Sequence, residues 1–352
     1  MGLGGPRLRA AGLEPAATME SVAVMGFAEV LTHLPAIRRA RGALLRLLDE
    51  RPDAIFLPID SPGLNLGLAH LAKRRGRKVV YYVCPQIWAW GAGRVRRLRE
   101  DVDLLLLLFR FEEAWLREAG VRAQWVGHPA GAFHPDAEAR ARARSSLGVA
   151  PGEILLALLP GSRRGEVRRH LGPMLDAAAR LVNHLPGRVR AAVSDAGPVA
   201  PLLRTAAVAE PWRFLSPIHH TGDSEPLLRA ADVAVVASGT ATLEAAALGS
   251  PLVIVYRTGW VNYEIARRLV RVSRIGLPNL VLGEGAAPEL LQRHVTGPGI
   301  SAVVARLVSD TAAVDAQRRA FARLPALLGG DGSAERAADA LVAFASDAAP
   351  GG

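Results

Sequence analysis

The sequence predicts an α/β protein of two Rossmann-like domains with a ligand cleft between them, the first domain truncated at its amino terminus. Three observations carry this expectation. Short apolar runs alternate with helical patterns through most of the 352 residues, as in parallel sheets covered on both faces. A segment rich in Pro, Ala and Arg, roughly Pro129–Gly152, interrupts the rhythm, which then resumes. The chain opens with "GLGGPRLRAAGLEP", a loop and helix, where a doubly wound domain opens with a strand, a turn and a helix.

In chain order, "AIFLPID" (54–60) is a strand before a helix around 66–75, and "KVVYYV" (78–83) one before a helix around 92–100. "DLLLLLF" (103–109) leads into the helix of "FEEAWLREAG", and "AQWVGHP" closes the first series. The second series starts with "EILLALLP" (153–160) and a helix over 164–183. It continues through "RVRAAVS", a short "RFLS", "VAVVASG" (233–239), a helix over 240–248 and "PLVIVY". Beyond Tyr256 the pattern is mostly helical. The expected division is 1–150, 151–310 and a helical end over 311–352.

Half of the residues are hydrophobic and 22% are charged, a globular balance. The formal net charge of +10 favours an anionic partner: nucleic acid, a phosphorylated substrate or an acidic membrane face. Nucleic acid fits least, because only 5% of residues are aromatic and the arginines are dispersed among apolar neighbours. The single cysteine, Cys84, excludes an intrachain disulfide and a cysteine metal cluster, and its place after a strand suits a small buried side chain. The nine histidines show no metal-ligand spacing, so no metal is expected. No apolar run approaches the roughly 18 residues of a spanning helix, and the opening residues lack the apolar core of a signal peptide. The expected location is cytoplasmic, with any membrane contact peripheral.

Two strand-to-helix turns stand out. In "LALLPGSRRGEVRRH" (156–170) an apolar strand ends in Pro-Gly-Ser at a helix start, which presents backbone N–H groups to an anion. Ser162 is placed to cap that helix and Arg163 to add a charge-assisted contact to phosphate. A capped helix with a solvated arginine face fits the same residues. In "ADVAVVASGTATLEAAALGSP" (231–251) a second strand ends in Ser238, Gly239 and Thr240, with Glu244 one turn on. A carboxylate there can accept two ribose hydroxyls, or can simply favour the helix dipole. Two such turns in one domain suggest a bound nucleoside diphosphate.

Asp60 in "FLPIDSPGLNLGLAH" (56–70) ends a strand, where it can act as a general base on a hydroxyl or as a turn residue before Pro62-Gly63. His128 in "VGHP" can meet a ligand or be satisfied by backbone. In Val22–Leu48, Phe27, Val30, Leu31 and Leu34 share a helical face and arginines follow closely. That pattern suits an interfacial helix on anionic lipid, although a helix packed on its own sheet is the more usual explanation of such spacing. Pro35 is expected to break the stretch.

These stretches together resemble the lipid-A-disaccharide synthase family from Gly4 to about Ala345. The resemblance rests on "GGPRLRAAG", "AVMGFAEVL", "IDSPGLN", "YYVCPQIWAWGAGRVRRL", "VGHP", "LLPGSRRGEV", "ASGTATLEAA" and "GLPNLVLG", in the family's order. It implies the two-domain GT-B fold, with the last helices crossing back to the first domain. It further implies transfer of 2,3-diacylglucosamine from its UDP donor to the 6-hydroxyl of 2,3-diacylglucosamine 1-phosphate, with inversion. The UDP-sugar is a substrate, so no cofactor and no metal are implied, and the anionic inner-membrane surface is the implied partner. Asp60 matches the family's essential aspartate, and Arg163 the arginine of its "PGSR" motif. Ser238, Gly239, Thr240 and Glu244 match the nucleotide turn, and Asn279 the cleft asparagine of "LPNL". The membrane-docking patch falls on Phe27–Leu34.

Three departures qualify the resemblance. The family's opening strand and "AGE-x-SGD"-like loop have no counterpart here. Gly63 stands where many members carry a second acid, leaving Asp60 alone, and "VGHPAGAF" lacks an aspartate that often follows. Two other readings share parts of the pattern: a UDP-N-acetylglucosamine 2-epimerase, and a non-catalytic nucleotide- or lipid-binding remnant. The "WAW" stretch and the apolar-basic Val22–Leu48 segment argue against an epimerase.

Overall fold

The computed structural model describes residues 1–16, 27–85, 93–185, 187–195, 199–207, 211–259 and 274–347. Their backbone falls into two units, Met1–Val126 with Ala334–Gly352, and Gly127–Ser333.

The first unit is built on a three-stranded parallel sheet in the order β1 (Val80–Tyr82), β2 (Leu104–Leu107), β3 (Ala123–Trp125). Besides a single turn over Pro6–Ala10, its helices before and between the strands are α1 (Phe27–Glu50), α2 (Pro62–Arg74), α3 (Gly93–Asp101) and α4 (Phe111–Glu118). Strand β2 is four leucines, all buried, because both of its faces are covered. Leu105 and Leu107 pack with Leu66, Ala69, Leu98 and Leu116 on one side. Leu104 and Leu106 pack on the other side with Ala340 and Phe344 of the helix Ser333–Asp347. Cys84 is buried in the first of these clusters.

Two expectations are corrected here. Residues 54–60 form no continuous strand; they pair through isolated bridges, Phe56 with Val79 just before β1 and Ile59 with Tyr82 at its end. The N–H groups of Phe56 and Asp60 donate to Lys78 and Tyr82, but Pro58 between them has none to donate. Helix α1 runs on through Pro35 where a break was expected. A proline there removes one backbone bond from a 24-residue helix, a local loss. The side chains of Phe27, Val30, Leu31 and Leu34 lie outside the described part, as do Trp88 and Trp90.

The second unit carries a six-stranded sheet ordered β6-β5-β4-β7-β8-β9, every adjacent pair parallel. The strands are β4 (Ile154–Leu159), β5 (Val189–Asp195), β6 (Ile218–Thr221), β7 (Val233–Ala237), β8 (Leu252–Tyr256) and β9 (Glu289–Leu291). The helices are α5 (Ala137–Ser146), α6 (Arg164–His184), α7 (Ala200–Ala207), α8 (Glu225–Ala230), α9 (Thr240–Ala247), α10 (Leu277–Leu282), α11 (Gly297–Ser309), α12 (Thr311–Phe321) and a short one over Leu324–Leu327. Leu156, Leu158, Val233, Val235, Val253 and Val255 form one face of the sheet and pack on Leu171, Met174 and Leu175 of α6 and Ile300 and Val304 of α11. Burial of such side chains, about 1.5–3 kcal/mol each, is what holds this unit together.

"RFLS", expected as a strand, forms a 3-10 turn over Arg213–Leu215, and the edge strand is β6. Trp212 and Leu215 both pack on the core, and residues three apart on a strand would point to opposite faces. The units divide after Val126, ahead of the change in sequence rhythm near 150. Asp232 holds α5 to the second unit: its carboxylate accepts from Arg140 Nη2 at 2.6 Å, Arg144 Nη1 at 2.8 Å and Leu155 N at 2.7 Å.

Candidate functional site

Strand order marks a candidate site in the second unit. The chain builds outward from β4 through β5 and β6, then returns to the other side of β4 with β7, β8 and β9. The strand order therefore reverses between β4 and β7, where open α/β sheets bind ligands beyond their carboxyl ends. Leu159 pairs with Val236, so the turns that follow these two strands leave the sheet side by side. They are the Pro160–Ser162 and Ser238–Thr240 turns.

The first turn is shaped by Gly161, whose φ of +109° disfavours any other residue. A Cβ there would also meet Glu166 Oε2 at 2.6 Å, because Glu166 folds back over the turn. Glu166 accepts a hydrogen bond from Arg163 Nη1 at 2.8 Å and so holds the exposed arginine beside the helix start. Ser162, expected to cap α6, does not. The cap position falls one residue later, on Arg163, and Ser162 is left exposed ahead of it. Its hydroxyl and the first N–H groups of α6 share an exposed turn, the arrangement an anion needs.

At the second turn, Gly239 precedes α9 and Thr240 begins it, both exposed. Ser238 Oγ donates to the Ile275 carbonyl at 3.1 Å, and Thr242 Oγ1 to the Gly239 carbonyl at 2.6 Å. Glu244 is half-buried and accepts from Ser224 Oγ at 3.0 Å through Oε2.

Asn279 was expected to face substrate. Its side chain is buried, 1% exposed, and engaged within the unit. Nδ2 donates to the Ala287 carbonyl and to Glu289 Oε1, both at 2.8 Å, and Oδ1 accepts from Ala287 N. Glu289 in turn accepts from the N–H groups of Ile275 and Gly276. Asn279, Glu289, Ile275 and Ser238 thus form one chain of hydrogen bonds that ends at the Ser238–Thr240 turn. Asn279 shapes that turn from behind.

His128 is also buried, and its Nδ1 accepts from Ala130 N at 2.9 Å at the start of a 3-10 turn. Burial lowers its pKa to about 4, so the ring is neutral near pH 7.

Asp60 belongs to the first unit, on the exposed side of the edge segment. Its backbone and that of Ser61 are left-handed, at φ +46° and +49°, as is Val83 at +74° on the neighbouring strand end. Such conformations cost of order 1–3 kcal/mol each and persist only when the surroundings impose them. The imposing groups are visible: Tyr81 Oη and Asn65 Nδ2 both donate to the Asp60 carbonyl, at 2.7 and 2.8 Å. The Asp60 N–H donates to the Tyr82 carbonyl at 2.9 Å.

Sequence reasoning missed several of these residues. Asn65 and Tyr81 act on backbone atoms, and Ser224 and Glu289 lie far along the chain from their partners. Asp195, buried at the end of β5 between Arg204 Nε (2.8 Å) and His219 Nδ1 (3.1 Å), shares the carboxyl edge of the sheet. The "SD" after a strand was its only signal. Among the described residues, no group of three or more His, Cys, Asp or Glu is placed to hold a metal ion.

Two Rossmann-like units, one with a ligand-type switch point, put this chain in the GT-B class of folds. Solved structures share it. A putative UDP-N-acetylglucosamine 2-epimerase from Listeria monocytogenes aligns with a TM-score of 0.64 over 96% of this chain and 84% of its own, at 13% identity. The UDP co-structure of S. aureus MnaA aligns at 0.62 over 94% and 89%, with 11% identity. At such identities the likeness is one of fold alone.

The chain belongs to the lipid-A-disaccharide synthetase family, whose model matches residues 1–338. The lipid-A-disaccharide synthase of Anaeromyxobacter dehalogenans strain 2CP-C is 42% identical over 348 residues, 97% of this chain and 88% of that protein. That of Pseudomonas aeruginosa strain LESB58 is 40% identical over 314 residues, 88% of this chain and 82% of its own.

Proposed function

We propose that the chain is a glycosyltransferase of lipid A disaccharide synthesis, using a UDP-sugar donor and a lipid-linked sugar acceptor. In the finer reading, it transfers 2,3-diacylglucosamine from its UDP donor to 2,3-diacylglucosamine 1-phosphate. The acceptor 6-oxygen bonds to the donor's anomeric carbon as the bond from that carbon to the UDP oxygen breaks. UDP departs with the electron pair, and the hydroxyl proton passes to Asp60. One carboxylate suffices for such an inversion.

The observation that carries the reading is the pair of adjacent strand-to-helix turns at the β4–β7 switch point in a member of this family. Arg163, Ser162 and the start of α6 take the diphosphate, whose charge grows as the sugar leaves. Ser238, Gly239 and Thr240 form the second helix start, and Glu244, oriented by Ser224, accepts the ribose hydroxyls. The clamp of Tyr81 and Asn65 supports a catalytic role for Asp60, because it holds a strained backbone that a mere turn residue would not need. The transfer is proposed as metal-independent. His128 and Asn279 act by shaping loops.

No helix among the described residues is long and apolar enough to cross a membrane. Acylated substrates nevertheless require access to lipid, and the Phe27, Val30, Leu31, Leu34 face is proposed as a peripheral contact with an anionic bilayer.

The test is mass-spectrometric detection of the disaccharide 1-phosphate after detergent-solubilised protein meets both substrates. Product is expected from the wild type, with turnover about 10²–10⁴-fold lower in Asp60→Asn. Near-normal turnover in that variant would remove Asp60 as the base; no product from folded wild-type protein would overturn the function.

A further inference from the structure

His170 lies on α6 with 0% of its surface exposed, and both ring nitrogens are bonded to backbone. Nδ1 lies 3.0 Å from the Pro160 carbonyl oxygen, and Nε2 2.8 Å from the Arg257 nitrogen. A backbone N–H only donates, so Nε2 must carry the lone pair. The ring proton is then on Nδ1 and is donated to Pro160. The two partners select one neutral tautomer.

Pro160 and Arg257 follow β4 and β8, the two strands that flank β7. Strand axes lie about 4.8 Å apart, which separates those two strand ends by about 10 Å. The Ser238–Thr240 turn leaves the sheet between them. The imidazole spans this gap, with the Tyr256 ring tilted against it at 6.2 Å between centroids. A purely apolar residue could fill the same space but could not tie the two loops.

We propose that His170 is a positioning residue of the nucleotide site, clipping the Pro160–Ser162 turn to the backbone at Arg257 so that the start of α6 meets the diphosphate. This rests on the nucleotide reading given above and adds to it a residue that never touches the ligand. The clip requires the neutral ring, because a proton on Nε2 would set one N–H against another. Burial lowers the His170 pKa; the charged and titratable groups around the ring are Glu166, which opposes that shift, and Arg169 on α6, with Arg257 and the Tyr256 phenol on the β8 side. The clip is therefore intact above histidine's usual value of about 6.5 and fails as pH falls through the lowered one.

The experiment titrates UDP into the wild type and into His170→Leu, His170→Asn and His170→Gln, each first shown to be folded by circular dichroism. Asn restores only the donor toward Pro160, and Gln only the acceptor toward Arg257. Losing two hydrogen bonds is expected to weaken UDP binding about tenfold in the Leu variant, with intermediate losses in Asn and Gln. Donor KM should rise while acceptor KM stays unchanged. The ratio of wild-type to Leu-variant affinity should shrink as pH falls through the lowered His170 value, a comparison from which UDP's own ionisation cancels. If the Leu variant does not fold, Asn and Gln carry the test alone. UDP binding equal to wild type in every folded variant, with no pH-dependent difference, would overturn the proposal. A wild type that binds no UDP would instead overturn the nucleotide reading, and this inference with it.

Discussion

His128 makes the second unit acid-labile by a predictable amount. The ring is 5% exposed, and its Nδ1 accepts the Ala130 N–H at 2.9 Å, which only the neutral form can do. Burial takes its pKa from the usual 6.5 down to about 4. A histidine with a lowered folded pKa is protonated first in the unfolded chain, so folding loses stability as pH falls from about 6.5 to about 4. The full span is worth about 3 kcal/mol at 1.36 kcal/mol per unit, and about 2 kcal/mol of it is gone by pH 5. His128→Asn keeps an acceptor for Ala130 N and removes the titration. Urea unfolding of both proteins, at pH 8 and pH 5, isolates the effect from every other group. The wild type should lose about 2 kcal/mol more than the variant between those values. Equal losses in both proteins would refute the reasoning.

Two further perturbations probe the frame around the site. Gly131→Ala would put a Cβ 2.6 Å from the Gly330 oxygen and 3.2 Å from the Leu328 oxygen, both backbone, so something must move; a loss of about 2–3 kcal/mol is expected in urea unfolding. Asp232→Ala leaves Arg140, Arg144 and the Leu155 N–H without their shared, partly exposed acceptor, and should cost about 1–3 kcal/mol, with α5 loosening first in hydrogen exchange.

The alternation of apolar runs with helical patterns was enough to expect parallel sheets, because buried strands such as Leu104–Leu107 announce themselves by composition. Segments that depart from periodicity were harder to read. Residues 54–60 look like a strand until Pro58 removes its N–H, and Trp212 with Leu215 share a face only in a 3-10 turn. The two strand-to-helix turns were legible as Pro-Gly-Ser and Ser-Gly-Thr at strand ends, but their adjacency depends on strand order, which no local pattern encodes. The same limit hid His170, whose partners are backbone atoms of Pro160 and of Arg257, 10 and 87 positions away. Asn279 was found by its motif and misplaced in role, since only its buried partner Glu289 shows that it faces inward.

The most direct test of the account is calorimetric titration of UDP into wild-type protein and into Glu244→Ala. Binding to the wild type, weakened about tenfold or more in the variant with unchanged folding, is the predicted result. Equal UDP affinity in the two proteins would contradict the assignment of the β4–β7 switch point as the nucleotide site.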